Sequence, residues 1–295
     1  MSTPLKTETT PLVKWVGGKR QLQEPIVKKI RSVFGLESGT YFEPFFGGGA
    51  ILLGLRPLKA VVSDINVGLV NLYKTAREQN DSLATELLTI QDYYNSLSES
   101  QQREYFAMRR SEFNAKEASS FLNRDGVSGA ANFIFLNKAG FNGMYRENAL
   151  GEFNIPFGKR HALNLFDEEN LKGFAQLLEN VEIRHSSYKV TVQSARKGDF
   201  VYFDPPYAPL SKTSSFEGYN SSNLGGFNQE GLRDVFRDLT NRGVHCLVSN
   251  SSAEVIETLY AGFNFQPLMA SRAISASAAG RKAVKEYLID NFAQI

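Results

Sequence analysis

The chain has few cysteine and histidine residues, on which disulfide-rich proteins and many metal-binding proteins depend. Among its 295 residues are one cysteine and three histidines, and neither a CxxC nor an HExxH spacing occurs. We therefore expect no disulfide framework and no metal site. Cys246 lies in an apolar segment, where it is expected to be a buried, unreactive thiol of a core strand.

Long hydrophobic runs and an excess of one charge are also missing. No apolar stretch approaches the length of a membrane span, and the polar start of the chain has no apolar signal core. These features predict a soluble protein of the reducing cytoplasm with no membrane partner, and a monomer is the default expectation. The 33 basic and 31 acidic residues leave a net charge of +2, which neither requires nor excludes a nucleic acid, because a local basic face would suffice.

The most informative stretch is the tetrapeptide Asp204-Pro205-Pro206-Tyr207. It follows the apolar segment 199–203, which predicts a buried strand that the prolines bring to an end. Open α/β sheets build their sites at the carboxyl ends of strands. The turn offers a carboxylate, carbonyl oxygens and an aromatic ring, which suit a flat ligand with an exocyclic amine. For the tetrapeptide alone, a plain strand-end turn with a solvated Asp remains a competitive explanation.

A glycine-rich turn lies nearer the start of the chain. Segment 41–50 predicts a strand that enters a turn of three glycines and then a helix over 51–55, as in nucleotide-binding βα units. A second short strand ends in Asp64, 17 positions after Gly47, which is close to the spacing of an acid that holds ribose hydroxyls. Asp64 is also a candidate N-cap for the next helix, and the two roles are compatible.

An earlier segment, KWVGGKR at 14–20, combines an aromatic ring, paired glycines and basic residues. Trp15 offers a stacking face, the glycines allow close approach of a ligand to the backbone, and Lys19 supplies a charge for a carboxylate or phosphate. By itself the segment is better explained as a glycine turn before an amphipathic helix over about 20–34. Lys14 is open to the same two interpretations.

The middle of the chain has a helical pattern without strand signals. Apolar residues at intervals of three and four predict helices over 67–78, 81–97, 99–113 and 128–139. Such a block interrupts a series of βαβ units and is interpreted as an insertion. Phe133, Phe135 and Leu136 are expected in its core, whereas Arg109 and Arg110 are expected to be solvated.

An irregular hairpin with its tip near Leu150 is predicted over 141–160. Its Phe, Met and Tyr residues look exposed and alternate with basic residues, which are Arg146, Lys159 and Arg160. Arg can recognise guanine in the major groove, and an apolar side chain can wedge between base steps. A surface hairpin that packs its aromatic residues on the helices explains the same pattern equally well.

The remaining segments complete the alternation of helices and strands. Helices are predicted over 167–180, 229–242 and 254–260, and strands over 181–185, 245–249, 263–268 and 285–289. A loop over 208–227, rich in Ser, Gly and Asn, suggests a lid beside the site. A basic loop over 271–282 could rest on phosphates, although a solvated loop is the default.

Taken in order, these segments resemble the Dam-type DNA adenine-N6 methyltransferases. The resemblance rests on KWVGGKR, YFEPFFGGGA, VVSDIN, a helical insertion, LNKAGFNGMYREN, GEFNIPFG and DFVYFDPPYAPL. It implies an α/β fold with a Rossmann-like methyltransferase sheet that binds S-adenosylmethionine (SAM), and an inserted target-recognition domain of helices and a β-hairpin. The implied boundaries are 1–66 and 166–295 for the two catalytic parts and 67–165 for the insertion.

The resemblance also assigns roles to individual residues. The cofactor-binding residues it implies are Trp15, Gly17, Lys19, Phe45, Gly47, Gly49, Asp64 and Asp204. The catalytic residues it implies are Asp204, Pro205, Pro206 and Tyr207. The DNA-binding residues it implies are Lys14, Phe141, Asn142, Met144, Arg146, Pro156, Lys159 and Arg160. Within these sets, Lys19 is expected near the cofactor carboxylate and Arg146 on a guanine.

The implied function is methyl transfer from SAM to adenine N6 in double-stranded DNA, within GATC and with the target base flipped out of the duplex. Two positions depart from the family pattern. Ser187-Tyr188 replaces an acid followed by an aromatic residue, and His161 replaces a more usual Tyr. These departures concern the packing of the cofactor adenine and one DNA contact.

Three other functions share part of these features. A cytosine-N4 methyltransferase has the same chemistry, but Ser more often replaces the Asp of its tetrapeptide. An NAD-dependent oxidoreductase would use a glycine turn and an acid such as Asp64, but it would not explain the proline turn or the hairpin. A DNA-binding protein without catalytic activity would keep the hairpin and have no need of SAM.

Overall fold

The structure of the protein is a computed structural model that describes residues 9–37, 39–115, 125–210, 227–271 and 283–295. Most of the lid expected over 208–227 lies outside the described residues, because these end at 210 and resume at 227. The basic loop expected over 271–282 also lies outside them, apart from the backbone of Ser271.

Helices and strands alternate at both ends of the chain, and a run of helices occupies its middle. The helices of the described residues are α1 (Gln23–Arg31), α2 (Ala50–Leu55), α3 (Val67–Glu78), α4 (Asn80–Ser96), α5 (Glu99–Asn114), α6 (Gly126–Ala139), α7 (Glu168–Leu177), α8 (Tyr188–Thr191), α9 (Gln229–Asn241) and α10 (Glu254–Leu259). The strands are β1 (Tyr41–Glu43), β2 (Ala60–Asp64), β3 (Val181–His185), β4 (Phe200–Phe203), β5 (His245–Ser251), β6 (Asn264–Ser271) and β7 (Ala283–Asp290). Short 3-10 helices cover Lys19–Leu22, Phe141–Gly143, Val192–Ser194 and Phe292–Gln294.

The middle helices begin where the sequence offers a cap. Asn66 precedes α3, and its side-chain oxygen accepts a hydrogen bond from the backbone N–H of Leu69 at 2.9 Å. Ser98 and Gln101 form a reciprocal capping box at the start of α5. Such caps satisfy N–H groups that lack a partner within the helix. The helical pattern predicted for this part of the chain is confirmed.

The chain divides into two compact units, each assembled from segments that are distant in sequence. The first unit takes the described residues of 1–18, 47–53 and 64–185, and the second unit takes those of 19–46, 54–63 and 186–295. Helices α3 to α7 and strand β3 belong to the first unit. The second unit contains β1, β4, β5, β6, β7 and most of β2. The domain boundaries implied by the resemblance stay a prediction.

In the second unit the strands lie in the order β2-β1-β4-β5-β7-β6. Neighbours among β2, β1, β4 and β5 are parallel, whereas β7 runs antiparallel to both β5 and β6. Phe42 pairs with Val201, and Phe203 pairs with Val248, so the carboxyl ends of β1, β4 and β5 lie at one edge. The segments that follow these strands are where an α/β fold places its site.

The first unit has an aromatic core contributed largely by α6. Phe133, Phe135 and Leu136 are fully buried there, as predicted. The ring of Phe135 meets the ring of Tyr94 edge-on at 5.5 Å, and the ring of Phe133 meets that of Phe113 edge-on at 6.0 Å. These contacts tie α4 and α5 to α6.

Arg109 of α5 corrects one expectation, because it is buried rather than solvated. Only 6% of its surface is exposed, and its Nε donates a hydrogen bond to the hydroxyl of Tyr105 at 2.8 Å. Helical periodicity places Arg109 on the same face as the buried Phe106 and Phe113, so its apolar stem enters the core. Arg110, expected to be solvated as well, is half-buried.

The irregular hairpin of the first unit is confirmed. Glu147 and Phe153 form an antiparallel bridge, and the backbone N–H of Asn154 donates to the carbonyl of Arg146 at 3.0 Å. Leu150 lies at the tip and is 68% exposed. Backbone pairing of this kind fixes which side chains of the hairpin face outwards.

Cys246 is a buried free thiol of β5, as predicted, and burial raises its pKa well above the usual range of a thiol. Across the described residues, His, Cys, Asp and Glu side chains form no group of three or more that could hold a metal ion. In this part of the chain, none of the helices is long and apolar enough to cross a membrane.

Candidate active site

Asp204 follows the last residue of β4 in the second unit, and its carboxylate faces a lysine. The Nζ of Lys19 lies 2.7 Å from Oδ1 of Asp204, and the Lys19 side chain is only 8% exposed. Burial raises the pKa of the Asp204 carboxyl above its usual value, and the charge of Lys19 offsets part of that rise. Asp204 is therefore a desolvated acid held by one cationic side chain.

Tyr207 completes the same turn and is anchored at its hydroxyl. The hydroxyl donates a hydrogen bond to Oε2 of Glu286 at 2.9 Å, and Nζ of Lys19 lies 4.7 Å from the ring centroid. Burial, followed by the charge of Asp204, raises the pKa of Tyr207 well above its usual range, so the phenol stays protonated. The ring is thus half-buried, neutral and fixed at both its face and its tip.

The backbone of the proline turn is fixed by β5 and α9. The backbone N–H of Ala208 donates to Oδ1 of Asn250 at 3.2 Å, and the hydroxyl of Ser251 donates to the carbonyl of Ala208 at 2.6 Å. Gln229 donates to the carbonyl of Pro206 at 2.8 Å. These bonds hold the turn rigidly at the end of β4, as a site that must orient a ligand requires.

Phe45 and Tyr188 form a flat aromatic pair elsewhere in the second unit. Their ring centroids are 5.4 Å apart with planes inclined by 25°, and Phe227 meets Phe45 edge-on at 5.5 Å. Both paired side chains are half-buried. Tyr188 follows Ser187, which stands where the family pattern has an acid, and the structure uses the Tyr188 ring as a packing partner of Phe45.

The glycine turn of the first unit depends on the absence of a side chain at Gly47. Its φ is +48°, and a Cβ placed there would lie 2.8 Å from Cδ1 of Trp15. Gly49 also has a positive φ, of +71°. The carbonyl of Gly47 accepts a hydrogen bond from the hydroxyl of Tyr73 at 2.6 Å. A larger residue at Gly47 would be strained and would collide with the indole ring.

Asp64 is bound by backbone donors within the same unit. Its Oδ2 accepts the N–H of Gly47 at 3.0 Å, and its Oδ1 accepts the N–H of Asn66 at 2.9 Å. Burial raises the pKa of Asp64, while the backbone bonds from Asn66, Gly47 and Ile65 act in the opposite direction. The N-cap of α3 is Asn66, so the interpretation of Asp64 as that cap is wrong.

Trp15 stacks inside the first unit on an aromatic residue of the hairpin. Its ring lies 5.3 Å from that of Tyr145 at 21°, and Tyr145 stacks in turn on Phe133 at 4.5 Å. Tyr145 is 7% exposed, so its expected exposure is wrong. The backbone of Lys14 exchanges two hydrogen bonds with the Asn137 side chain, at 3.1 and 2.9 Å, which fixes the segment that carries Trp15.

The hairpin separates its side chains into outward and inward sets. Phe153 and Ile155 are buried with Tyr145. The candidate DNA-binding residues are outward or half-buried; the exposed ones are Lys14, Phe141, Asn142, Arg146, Pro156, Lys159 and Arg160, and Met144 is half-buried. Nε of Arg146 donates to Oδ1 of Asn154 at 2.8 Å, which orients the guanidinium. The buried residues therefore fit a hairpin that packs its aromatic side chains inwards, and the contact of the outward residues with DNA stays a prediction.

Two acidic residues, one in each unit, accept the hydroxyl of a tyrosine and were not singled out from the sequence. Glu286 of β7 binds the hydroxyl of Tyr207. Glu147 of the hairpin accepts the hydroxyl of Tyr145 at 2.6 Å and the side-chain amide of Asn66 at 3.3 Å. Both occur in segments whose local pattern carries no catalytic signal, so only side-chain packing reveals them. Gly17, the remaining cofactor candidate, is exposed with a φ of +77°.

The parallel strands, the glycine turn and the proline turn define a Rossmann-like methyltransferase fold. The family model described as D12 class N6 adenine-specific DNA methyltransferase matches residues 15–274. The chain belongs to this family of adenine-specific DNA methyltransferase enzymes.

Individual relatives span nearly the whole chain. The type II methyltransferase M.MjaIII of Methanocaldococcus jannaschii is 38% identical over 294 residues, which cover 97% of this chain and 100% of the relative. The type II methyltransferase M1.LlaDCHI of Lactococcus lactis subsp. cremoris is 35% identical, with 97% of each chain covered. A DNA adenine methylase of Haemophilus influenzae is 29% identical, covering 96% of this chain and 94% of the relative.

Proposed function

We propose that the protein transfers a methyl group from SAM to N6 of adenine in double-stranded DNA, within the sequence GATC. The observation that carries the proposal is the half-buried carboxylate of Asp204 at the end of β4, paired with Lys19 and in a rigid turn with Tyr207. Membership of the D12 family supports the target atom. The cofactor, the recognition sequence and base flipping are the parts of the proposal that go beyond that membership.

The target adenine is proposed to bind to the proline turn. Adenine N6 is hidden in the duplex, so the base must be flipped out at a cost of about a few kcal/mol. Asp204 and the carbonyl of Pro205 would accept the two N6 hydrogens, Pro206 would keep the turn rigid, and Tyr207 would stack on the base. Two acceptors on the amino group favour a pyramidal nitrogen, which makes its lone pair available.

The raised pKa of Asp204 fits a second task in the same reaction. Once N6 carries the new methyl group, the nitrogen is cationic and must lose a proton. Burial raises the pKa of Asp204, so its carboxylate is a better proton acceptor than a solvated one. The nearby Lys19 keeps the carboxylate ionised until then, because it lowers the same pKa. Asp204 is therefore proposed both to orient N6 and to take its proton.

The cofactor is proposed to bind to residues of the KWVGGKR segment, the glycine turn and the proline turn, and to the acid that ends β2. These residues are Trp15, Gly17, Lys19, Phe45, Gly47, Gly49, Asp64 and Asp204. When bound, SAM supplies an electrophilic methyl group. The residues fit such a ligand, since Asp64 has an oriented carboxylate with lone pairs for ribose hydroxyls.

The outward residues of the hairpin are proposed to contact DNA. Phe141 is 50% exposed and could fill the gap left by the flipped base. Lys14, Lys159 and Arg160 would bind phosphates or bases, together with Asn142, Met144 and Pro156. Arg146 is proposed to recognise guanine, because its guanidinium is exposed and oriented by Asn154.

Substitution of Arg146 tests the proposed recognition of guanine. Arg146→Ala should relax the choice of base at one position, since a good bidentate contact contributes about 1–3 kcal/mol of discrimination. Lys159→Ala is the matched control, which should weaken binding to all duplexes alike. Initial rates on duplexes with each base pair of the site changed in turn provide the measurement. An unchanged preference at every position in Arg146→Ala would remove the assignment.

The function as a whole is tested by methyl incorporation. The protein is incubated with radiolabelled SAM and duplexes that contain GATC, a single changed base pair, or no GATC, and the labelled base is identified by chromatography. We expect N6-methyladenine in the GATC duplex alone. Label on cytosine would favour the cytosine-N4 alternative, and DNA binding without any label would favour a non-catalytic DNA-binding protein.

A further inference from the structure

Tyr207 carries the stacking face of the proposed site, and a tyrosine side chain can change its χ1 rotamer and so displace its ring unless contacts hold it. In this protein the hydroxyl donates to Oε2 of Glu286 at 2.9 Å. We propose that Glu286 is a positioning residue that holds the ring of Tyr207 in the orientation needed for the flipped adenine. The inference rests on the proposed function and adds a residue to it.

Glu286 is well placed to act as a rigid anchor. It lies within β7, where its backbone is paired with Ser251 of β5 on one side and Leu268 of β6 on the other. A residue in an inner strand has both neighbours hydrogen-bonded, so its Cα cannot shift without disturbing the sheet. The hydroxyl of Tyr207 is therefore bound to the sheet rather than to a loop.

The anchor also has the right charge for its task. A carboxylate accepts only, so the phenol must be the donor, and Glu286 contributes to the raised pKa of Tyr207. Charge-assisted hydrogen bonds are roughly twice as strong as neutral ones. Lys19 contacts the ring face at 4.7 Å, so the bond at the tip restrains the position of the ring and the contact at the face restrains its plane. Without Glu286 the ring would lose the hydrogen bond at its tip.

The same unit contains a matched pair away from the proline turn. The hydroxyl of Tyr287, the next residue of β7, donates to Oε1 of Glu257 at 2.5 Å. Nζ of Lys285 lies 4.6 Å from the Tyr287 ring centroid. This is the same combination of tyrosine, carboxylate and lysine, without a proposed role in catalysis. Substitution of Glu257 therefore controls for the loss of a tyrosine–carboxylate bond as such.

The test is a double-mutant cycle on methylation of the GATC duplex. Glu286→Ala and Tyr207→Phe should each lower kcat by roughly 10²-fold, the loss expected from a displaced active-site group. The double variant should be no worse than either single variant, because both remove one interaction. Glu286→Gln, which keeps an acceptor, should stay within a few-fold of wild type, and Glu257→Ala should equal wild type. The Kd for SAM should be the same in all variants.

Each outcome separates the inference from the function on which it rests. A wild-type protein that transfers no methyl group would sink the proposed function itself. An active wild type with wild-type kcat in Tyr207→Phe would overturn only the role of Glu286. Additive losses in the double variant would overturn it as well, and this comparison uses Glu286→Leu, which is similar in size and has no acceptor, if Glu286→Ala does not fold.

Discussion

The protein uses two half-buried carboxylates in contrasting ways. Asp64 ends β2 and Asp204 follows β4, and burial raises the pKa of both. Backbone N–H groups bind the oxygens of Asp64, whereas the Nζ of Lys19 faces Asp204. A backbone donor leaves only if the turn unfolds, whereas a lysine side chain has rotatable bonds through which it can change partner. In the proposed function Asp64 is therefore a static binding group, and Asp204 exchanges partners during turnover.

The largest expected effect separates the two carboxylates directly. Asp204→Ala should lower kcat by about 10³-fold or more while DNA binding survives, because it removes the acceptor and base at the reacting nitrogen. Asp64→Ala should instead raise the KM for SAM and keep kcat within about tenfold, since a binding contact is lost. Steady-state kinetics with both substrates varied, and DNA affinity by fluorescence anisotropy, provide the measurements. Equal losses of kcat in both variants would erase the distinction.

A smaller effect is expected from breaking the backbone cage around Asp64. Gly47→Ala should reduce the free energy of unfolding by roughly 1–3 kcal/mol, because Gly47 has a positive φ and a Cβ there would lie 2.8 Å from Trp15. Gly126→Ala is the control, with a φ of +64° and nothing within 4 Å of the added Cβ, so it should cost only about 1 kcal/mol. Urea denaturation of both variants measures the difference.

Gly47→Ala should also weaken SAM binding, since it displaces the N–H that orients Asp64. Gly126→Ala should leave the Kd for SAM unchanged. If both variants lose the same stability and neither loses affinity for SAM, the close approach of Trp15 to Gly47 does not contribute to cofactor binding.

The smallest expected effect concerns the cationic partner of Asp204. Lys19 lowers the pKa of the Asp204 carboxyl, so Lys19→Gln should raise it further. Protonated Asp204 cannot take a proton, and the rate therefore falls as pH falls through this pKa. The acid limb of kcat/KM should move to higher pH in Lys19→Gln, in addition to any loss of rate. A pH–rate profile of the single-turnover reaction shows the shift.

Lys29→Gln is the control for this profile. Nζ of Lys29 lies 2.8 Å from Oδ2 of the buried Asp290, and 5.3 Å from the ring centroid of Phe292. Lys29, Asp290 and Phe292 thus form the same combination of lysine, carboxylate and aromatic ring, but away from the active-site turn. An acid limb that moves in Lys29→Gln as well, or that does not move in Lys19→Gln, would contradict the assignment of the limb to Asp204.

Local patterns predicted the elements that carry the site. The apolar run before Asp204 is β4, and the helical periodicity of 67–78 is α3. The hairpin tip near Leu150 was also predictable, because strand and turn preferences act over a few residues. The exact cap of α3 was not, since Asp64 and Asn66 are both good caps and only the hydrogen bonds distinguish them.

Side-chain environments were predicted less well. Arg109 and Tyr145 looked exposed by residue type, yet both are buried, because each finds an aromatic partner and a hydrogen bond. The hydrogen-bond partners Tyr105 and Glu147 lie nearby in the sequence, but the rings that cover Tyr145 belong to Trp15 and Phe133, which do not. A periodic pattern shows which face of an element is apolar. It does not show what covers a face that carries both polar and apolar residues.

By itself the sequence determined the order of the strands and helices along the chain, the turns that end them, and the family to which the motifs point. Those features depend on apolar periodicity, prolines and glycines, which act within a few residues. Only the tertiary structure decided that Lys19 faces Asp204 and that Tyr207 donates to Glu286, 79 positions away. Pairs of this kind arise from strand register and packing, and these are properties of the whole sheet.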